Sequence, residues 1–133
     1  MSSEKVLVER LVAEVMNGRN LDALGDLCSP RLARQLRRAF EQFIAAFPDW
    51  HQEIVQLVHE SETVVARFRC TGTHLGEWLG DAPTKRTMRV DEVYFFSIKD
   101  GRLDTVWGLE DTWTRKRQLS GDVTELGRLG SIG

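Results

Sequence analysis

Apolar residues in the first third of the chain recur every three or four positions, which is the period of an amphipathic helix. The pattern predicts a first helix that ends near Asn17 and Gly18, a short second helix over residues 21–27 and a third over residues 31–46. One apolar stripe marks the third helix; its members are Leu32, Leu36, Phe40, Phe43, Ile44 and Phe47. Pro48 ends this helix, because proline disfavours helical geometry in the residue before it.

After residue 50 the pattern changes to the alternation of strands. It predicts strands over residues 52–59 and 63–73, a glycine-containing loop over residues 72–85, and a hairpin formed by residues 90–98 and 103–113. The hairpin turns at Asp100-Gly101, because glycine accepts the positive φ that a tight turn needs. Helices followed by about four antiparallel strands predict one α+β domain over residues 1–133, with a core at about 4–119 and a tail at 120–133.

Alternation along the returning strand of this hairpin places a carboxylate at the end of an apolar face. The residues predicted to share that face are Leu103, Thr105, Trp107, Leu109 and Asp111. Three helices that cover one face of a curved, mostly antiparallel sheet leave a conical space between the two layers. We expect the face of Trp107 and Asp111 to line it, because ligand pockets are mainly apolar with few polar groups.

Composition and charge exclude several classes of protein. The 133 residues carry a formal charge of −2, so no basic field is available to attract nucleic acid. No stretch approaches the roughly 20 apolar residues of a membrane span, and no signal peptide is recognisable. Cys28 and Cys70 lack the spacing of a metal or redox site. The sequence thus predicts a cytoplasmic protein with reduced cysteines, no metal, no membrane and no nucleic acid as partner.

Several short motifs resemble the SnoaL-like polyketide cyclases of the nuclear transport factor 2-like superfamily. They are FPDWHQEI at residues 47–54, VVARFRCTGTHLGEW at residues 64–78 and VWGLEDTWTRKRQL at residues 106–119. The resemblance covers residues 4–119 and implies a cone-shaped α+β fold. It also implies cofactor-free ring closure of aromatic polyketides by intramolecular aldol chemistry, although some relatives are hydroxylases. Residues 29–38 depart from the family, because they lack the histidine that often occurs there, and Ser120 replaces a glycine.

The resemblance also assigns roles to individual residues. Asp111 falls on the catalytic aspartate of the cyclases, and His74 on the histidine at the rim of the pocket. One buried carboxyl group can serve an aldol reaction as both base and acid, because desolvation raises its pKa towards neutrality. Alternatively, Asp111 caps a short helix over residues 112–119, and His74 bonds a neighbouring backbone group. The side chains predicted to bind substrate are Trp107, Tyr94, Trp78, Leu109 and Phe40, although such aromatic residues are often core.

The leading hypothesis is a cofactor-free cyclase for a small hydrophobic or aromatic, polyketide-like ligand. A second hypothesis is a cofactor-independent hydroxylase, an isomerase or an epoxide hydrolase. An epoxide hydrolase needs two acids that bracket an arginine, for which Asp91 and Asp111 around Arg67, Arg69 or Arg89 are candidates. Asp91 and its neighbour Glu92 point to opposite faces, so at most one is inside. A third hypothesis is a non-catalytic binding or dimerisation module. We expect a homodimer or higher oligomer, because open sheets usually cover a face by self-association.

Overall fold

In the computed structural model, which describes residues 2–121, three helices lead into a four-stranded sheet and a fourth helix follows. Helix α1 (Ser3–Arg10) continues as a π-helical segment (Leu11–Asn17), and a 3₁₀ turn (Leu21–Ala23) runs into α2 (Leu24–Leu27). The remaining elements are α3 (Pro30–Ala46), β1 (His51–Glu60), β2 (Thr63–Thr73), β3 (Thr87–Lys99), β4 (Arg102–Glu110) and α4 (Thr112–Leu119). The greater part of the predicted tail, residues 122–133, lies outside the described residues.

The four strands form an antiparallel meander in the order β1-β2-β3-β4. The predicted turn between β3 and β4 is confirmed, since Asp100 and Gly101 both have positive φ, at 53° and 75°. Two positive φ values match the twist of the flanking strands. Strand β4 ends at Glu110, three residues earlier than predicted, because the chain turns into α4 at Asp111.

The three N-terminal helices cover the inner face of the sheet. The apolar stripe of α3 is buried there at Leu32, Leu36, Phe40 and Phe43, together with alternate residues of β2 such as Val64 and Phe68. The curved, unclosed sheet against these helices confirms the predicted α+β class. No helix within residues 2–121 is long and apolar enough to cross a membrane.

A β-bulge in β4 reverses the predicted orientation of its second half. Leu103 pairs with Ile98, but Thr105 pairs with Ser97, so Asp104 is an extra residue in the strand. An extra residue shifts the alternation by one position, and every later side chain moves to the other face. The prediction that Leu103, Trp107 and Asp111 share one face is therefore wrong. Beyond the bulge the inward positions are Val106, Gly108 and Glu110, which pair with Phe96, Tyr94 and Glu92.

Candidate active site

Four polar side chains lie together in the otherwise apolar space between the helices and the sheet. Gln52 comes from β1, Glu92 from β3, Glu110 from the end of β4 and Arg115 from α4. Gln52 and Arg115 are 1% exposed and Glu92 is 4% exposed. Charged side chains are rarely buried this deeply unless they are paired, so this group marks the candidate site.

The four side chains form one continuous hydrogen-bonded network. The Gln52 amide nitrogen donates to Glu92 Oε1 at 2.6 Å, and Arg115 Nη2 donates to Glu92 Oε2 at 3.3 Å. Arg115 Nη1 donates to Glu110 Oε2 at 2.5 Å. Trp50 completes the network, since its indole N–H donates to Gln52 Oε1 at 2.9 Å. Arginine thus stands between two carboxyl groups.

Backbone contacts hold the elements that carry this network. The Asn17 side chain, at the end of the π-helical segment, accepts from the Gln52 N–H at 2.8 Å and donates to the Gln52 carbonyl at 2.9 Å. These two bonds satisfy the backbone N–H and carbonyl of Gln52 at the edge of the sheet. Gln118 does the same for β3, because its amide accepts from the Arg89 N–H at 2.8 Å and donates to the Arg89 carbonyl. These contacts fix the π-helical segment and α4 relative to the sheet.

Burial changes the protonation of Glu92. Desolvation, together with the nearby charge of Glu110, raises the pKa of Glu92 to about 7. The hydrogen bond from Gln52 and the charge of Arg115 oppose this shift without cancelling it. Burial also raises the pKa of the Tyr94 hydroxyl and of the Cys70 thiol. Desolvation disfavours the charge of Arg115, but the neighbouring groups, with Glu110 first among them and then Cys70 and Glu92, together outweigh it and the pKa of Arg115 is raised. Glu92 is therefore poised to exchange a proton near neutral pH.

Aromatic side chains form a wall on the α3 side of the network. The Arg115 guanidinium carbon lies 5.2 Å from the ring centre of Phe43 and 5.7 Å from that of Trp78. These two rings meet edge to face, with centroids 4.8 Å apart. A cleft of about 150 Å³ opens beside them; its lining residues are Trp78, Leu79, Asp81, Thr112, Arg115, Lys116 and Leu119. Arg115 therefore belongs both to the buried network and to the wall of this cleft.

The model of the SnoaL-like polyketide cyclase family matches residues 6–119. The chain belongs to this family. No curated protein matches the sequence. Among solved structures, TsrD from Streptomyces laurentii is 24% identical with a TM-score of 0.83, over 88% of this chain and 94% of that one. AclR from Streptomyces galilaeus is 22% identical with a TM-score of 0.81, over 99% and 87%.

A SnoaL-like polyketide cyclase from Agrobacterium tumefaciens is 20% identical with a TM-score of 0.75, over 90% of this chain and 99% of its own. These three structural similarities show that this member of the SnoaL-like family has the same fold as those proteins. The arrangement of Gln52, Glu92, Glu110 and Arg115 is read from the chain's own structure.

Asp111, which the family resemblance placed in the catalytic role, is the N-cap of α4. Its Oδ1 accepts from the Thr114 N–H at 3.1 Å and its Oδ2 from the Thr114 hydroxyl at 2.7 Å. The capping alternative is therefore confirmed, and both carboxylate oxygens are engaged. A catalytic role for Asp111 stays a prediction.

His74, the second predicted catalytic residue, is fully buried beside the ring of Phe47. Its Nδ1 accepts from the Thr84 N–H at 3.2 Å, which confirms the predicted contact with a neighbouring backbone group. That bond assigns the hydrogen of the neutral ring to Nε2. Within residues 2–121 Nε2 has no hydrogen-bond partner. A catalytic role for His74 also stays a prediction.

The residues predicted to bind substrate separate into two groups. Tyr94, Trp78 and Phe40 lie on the inner side: Tyr94 pairs with Gly108, Trp78 lines the cleft, and Phe40 packs on Trp50. Trp107 and Leu109 lie on the outer face, 57% and 59% exposed, so the prediction that they line the inner space is wrong. The cause is the bulge at Asp104, which was not recognisable from alternation.

The structure does contain an arginine between two acids inside the fold, but not the predicted one. Arg69 approaches Glu53 and Asp91 at 3.9 and 3.8 Å on the outer face. The buried arrangement is formed by Glu92, Arg115 and Glu110 instead. Glu92 was recognisable in part, since it interrupts an apolar face formed by Met88, Val90, Tyr94, Phe96 and Ile98. Within the described part of the chain, no three His, Cys, Asp or Glu side chains are arranged to hold a metal ion.

Proposed function

We propose that this protein is a cofactor-free acid–base enzyme that acts on a small, largely aromatic ketone, as in polyketide ring closure. The observation that supports the proposal is Glu92, a buried carboxyl group with a pKa near neutrality, which hydrogen-bonds to Gln52 and Arg115. Carboxyl groups of this kind serve as general acids and bases because both protonation states are populated at the working pH.

In the proposed reaction, ionised Glu92 takes a proton from the carbon next to a substrate carbonyl. The resulting enolate attacks a second carbonyl of the same molecule, and a carbon–carbon bond forms. Protonated Glu92 then returns its proton to the new alkoxide, so the reaction needs no net proton, oxidant or cofactor. Gln52 orients the carboxyl group. Glu110 keeps the pKa of Glu92 high, because two neighbouring carboxylates resist ionising together.

The aromatic wall supports the choice of substrate. Trp78 and Phe43 beside Arg115 offer a planar, apolar surface next to the network. Small-molecule sites are typically of this composition, with a few polar groups that fix the reacting atoms. Membership of the SnoaL-like polyketide cyclase family supports this class of reaction and a polyketide-like ligand.

Hydrogen exchange at carbon tests the proposal without knowledge of the natural substrate. The probe is 1-tetralone in D₂O at neutral pH, and ¹H NMR follows the loss of the methylene signal next to its carbonyl. We expect the protein to accelerate this exchange and Glu92→Gln to abolish the acceleration. Asp91→Asn is the matched control, because it removes the adjacent carboxylate on the opposite face. Equal rates in the wild type and Glu92→Gln would exclude Glu92 as the base.

The partner Glu110 has a distinct expected effect. Glu110→Gln removes the negative charge that raises the pKa of Glu92, so the rise of the exchange rate with pH should move to lower pH. A residue with only a structural role would change the maximum rate or the stability and leave this midpoint in place. An unchanged midpoint in Glu110→Gln would argue against the coupling.

Epoxide hydrolysis is a second candidate, supported by Arg115 between the carboxyl groups of Glu92 and Glu110. In that reaction one carboxylate takes a proton from water as the water attacks an epoxide carbon, and the other carboxyl group protonates the epoxide oxygen. Incubation with styrene oxide and detection of phenylethanediol by mass spectrometry distinguishes this reaction from ring closure. If neither probe reacts, the hypotheses that remain are a hydroxylase, an isomerase and a non-catalytic module.

A further inference from the structure

One of the three guanidinium nitrogens of Arg115 makes no hydrogen bond to the surrounding carboxyl groups. The side chain is 1% exposed, and its Nη1 and Nη2 donate to Glu110 and Glu92. The Nε–H, in contrast, finds no hydrogen-bond acceptor anywhere in residues 2–121. Buried donors in native proteins nearly always have an acceptor, so an exception calls for an explanation.

The position of Arg115 suggests where such an acceptor enters. Its side chain is part of the wall of the cleft beside Trp78, with the guanidinium carbon 5.7 Å from the centre of that ring. A planar ligand that stacks on Trp78 therefore brings an oxygen on its ring edge close to the guanidinium group. Lys116 lines the same cleft, and the one acid among the lining residues is Asp81. Together with Arg115, this gives the wall an excess of positive charge.

The contact between Arg115 and Glu92 indicates a chemical role for the Nε–H of Arg115. When a base removes a proton from the carbon next to a carbonyl group, negative charge develops on the carbonyl oxygen. The carbonyl carbon is the one atom that separates this oxygen from the deprotonated carbon. The Nε–H belongs to the same rigid, planar guanidinium group whose Nη2 contacts Glu92. It is therefore placed to donate to that oxygen while Glu92 faces the carbon. Fixed donors aimed at developing charge are a major source of catalysis.

We propose that Arg115 Nε–H is the oxyanion donor of this site and that its ligand is a planar aromatic compound with an ionisable oxygen, either an enolisable ketone or a phenol. The inference rests on the proposed function, because removal of the proton by Glu92 generates the enolate. A phenolate mimics this enolate and binds without any reaction, so binding of a phenol separates the two proposals.

The test uses 4-nitrophenol, whose phenolate has its own absorbance band. We expect the wild type to bind the phenolate in preference to the phenol, so that the bound compound ionises at lower pH than the free one. Arg115→Met should weaken phenolate binding about 10- to 100-fold, the effect of one hydrogen bond to a charged group. Arg117→Met is the matched control, since it removes a comparably buried arginine from the same helix.

Arg115→Lys covers the case in which Arg115→Met does not fold. It keeps a cation between Glu92 and Glu110 but has no Nε–H, so phenolate binding should still be weakened while circular dichroism shows the native fold. Full binding in a folded Arg115→Lys variant, or equal losses in Arg115→Met and Arg117→Met, would overturn the proposal. Glu92→Gln should bind the phenolate and yet fail in tetralone exchange. The reverse pattern, normal exchange in Glu92→Gln, would refute the proposed function instead.

Discussion

Glu92→Gln replaces a buried carboxyl group by an amide of nearly the same shape and removes the proton that folding stabilises on it. The pKa of Glu92 is raised from 4.5 to about 7 in the folded protein, mainly by desolvation and by Glu110. Below pH 4.5 the folded and unfolded states both hold the proton, and the stabilising contribution is complete. Between these values the unfolded chain releases the proton first, so the free energy of unfolding falls as pH rises. Above about pH 7 the contribution is lost.

The size of the effect follows from the same two values. At 1.36 kcal/mol for each pH unit, the interval from 4.5 to about 7 corresponds to roughly 3 kcal/mol. The Glu92 side chain is 2% exposed, so solvent screening reduces this little. Relative to Glu92→Gln, the wild type should therefore lose roughly 3 kcal/mol of stability on going from pH 4.5 to pH 8.

Urea unfolding of both proteins, followed by tryptophan fluorescence at several values between pH 4.5 and pH 8, measures this difference. All other titrating groups are common to the two proteins, so the difference between them reports the ionisation of Glu92 together with its coupling to Glu110. The difference should change with pH and level off above pH 7. Two curves that stay parallel over the whole range would show that Glu92 is ionised at its ordinary pKa, and the proposed base would lose its physical support.

Three further predictions concern other parts of the molecule. Asp111→Asn should keep the α4 cap and the tetralone exchange, whereas Asp111→Ala should cost about 1 kcal/mol in urea unfolding; loss of exchange in Asp111→Asn would instead favour Asp111 as the base. Gly108→Ala should lower the free energy of unfolding by about 1–3 kcal/mol, because the new Cβ would lie 2.6 Å from Tyr94 Cδ1. Gly25→Ala is the control, because there is open space around that position. Trp107→Asp should convert the predicted homodimer to monomer in analytical ultracentrifugation, because this exposed ring packs with Phe95 on the outer face; a monomeric wild type would contradict the prediction.

Family membership and the proposed proton chemistry rest on different residues of the chain. Membership of the SnoaL-like polyketide cyclases rests on residues 6–119 as a whole. The proton chemistry, in contrast, rests on the few contacts that Glu92 makes with Gln52, Arg115 and Glu110. Because Asp111 caps α4 with both oxygens, the two proposals for the base are separable by single substitutions. Glu92→Gln and Asp111→Asn give opposite expectations in one assay.

Local chemistry accounts for what was predictable from the sequence. The period of α3, the proline that follows it, and the Asp100-Gly101 turn depend only on neighbouring residues, and all three are confirmed. Strand β3 has no bulge through its pairing with β2, so simple alternation correctly placed Asp91 and Glu92 on opposite faces. The α+β class followed because each element was marked by its own apolar period.

Tertiary structure decided which carboxyl group became the candidate base. The extra residue Asp104 reverses the facing of β4, so Glu110 turns inward and Trp107 outward. A bulge arises from how two strands pair and leaves no trace in the alternation of one strand. Arg115 reaches Glu92 from α4, the helix that Asp111 caps, and these two residues are 23 positions apart in the chain. The sequence determined the elements through local forces, whereas the site arose from distant side chains that only packing brings together.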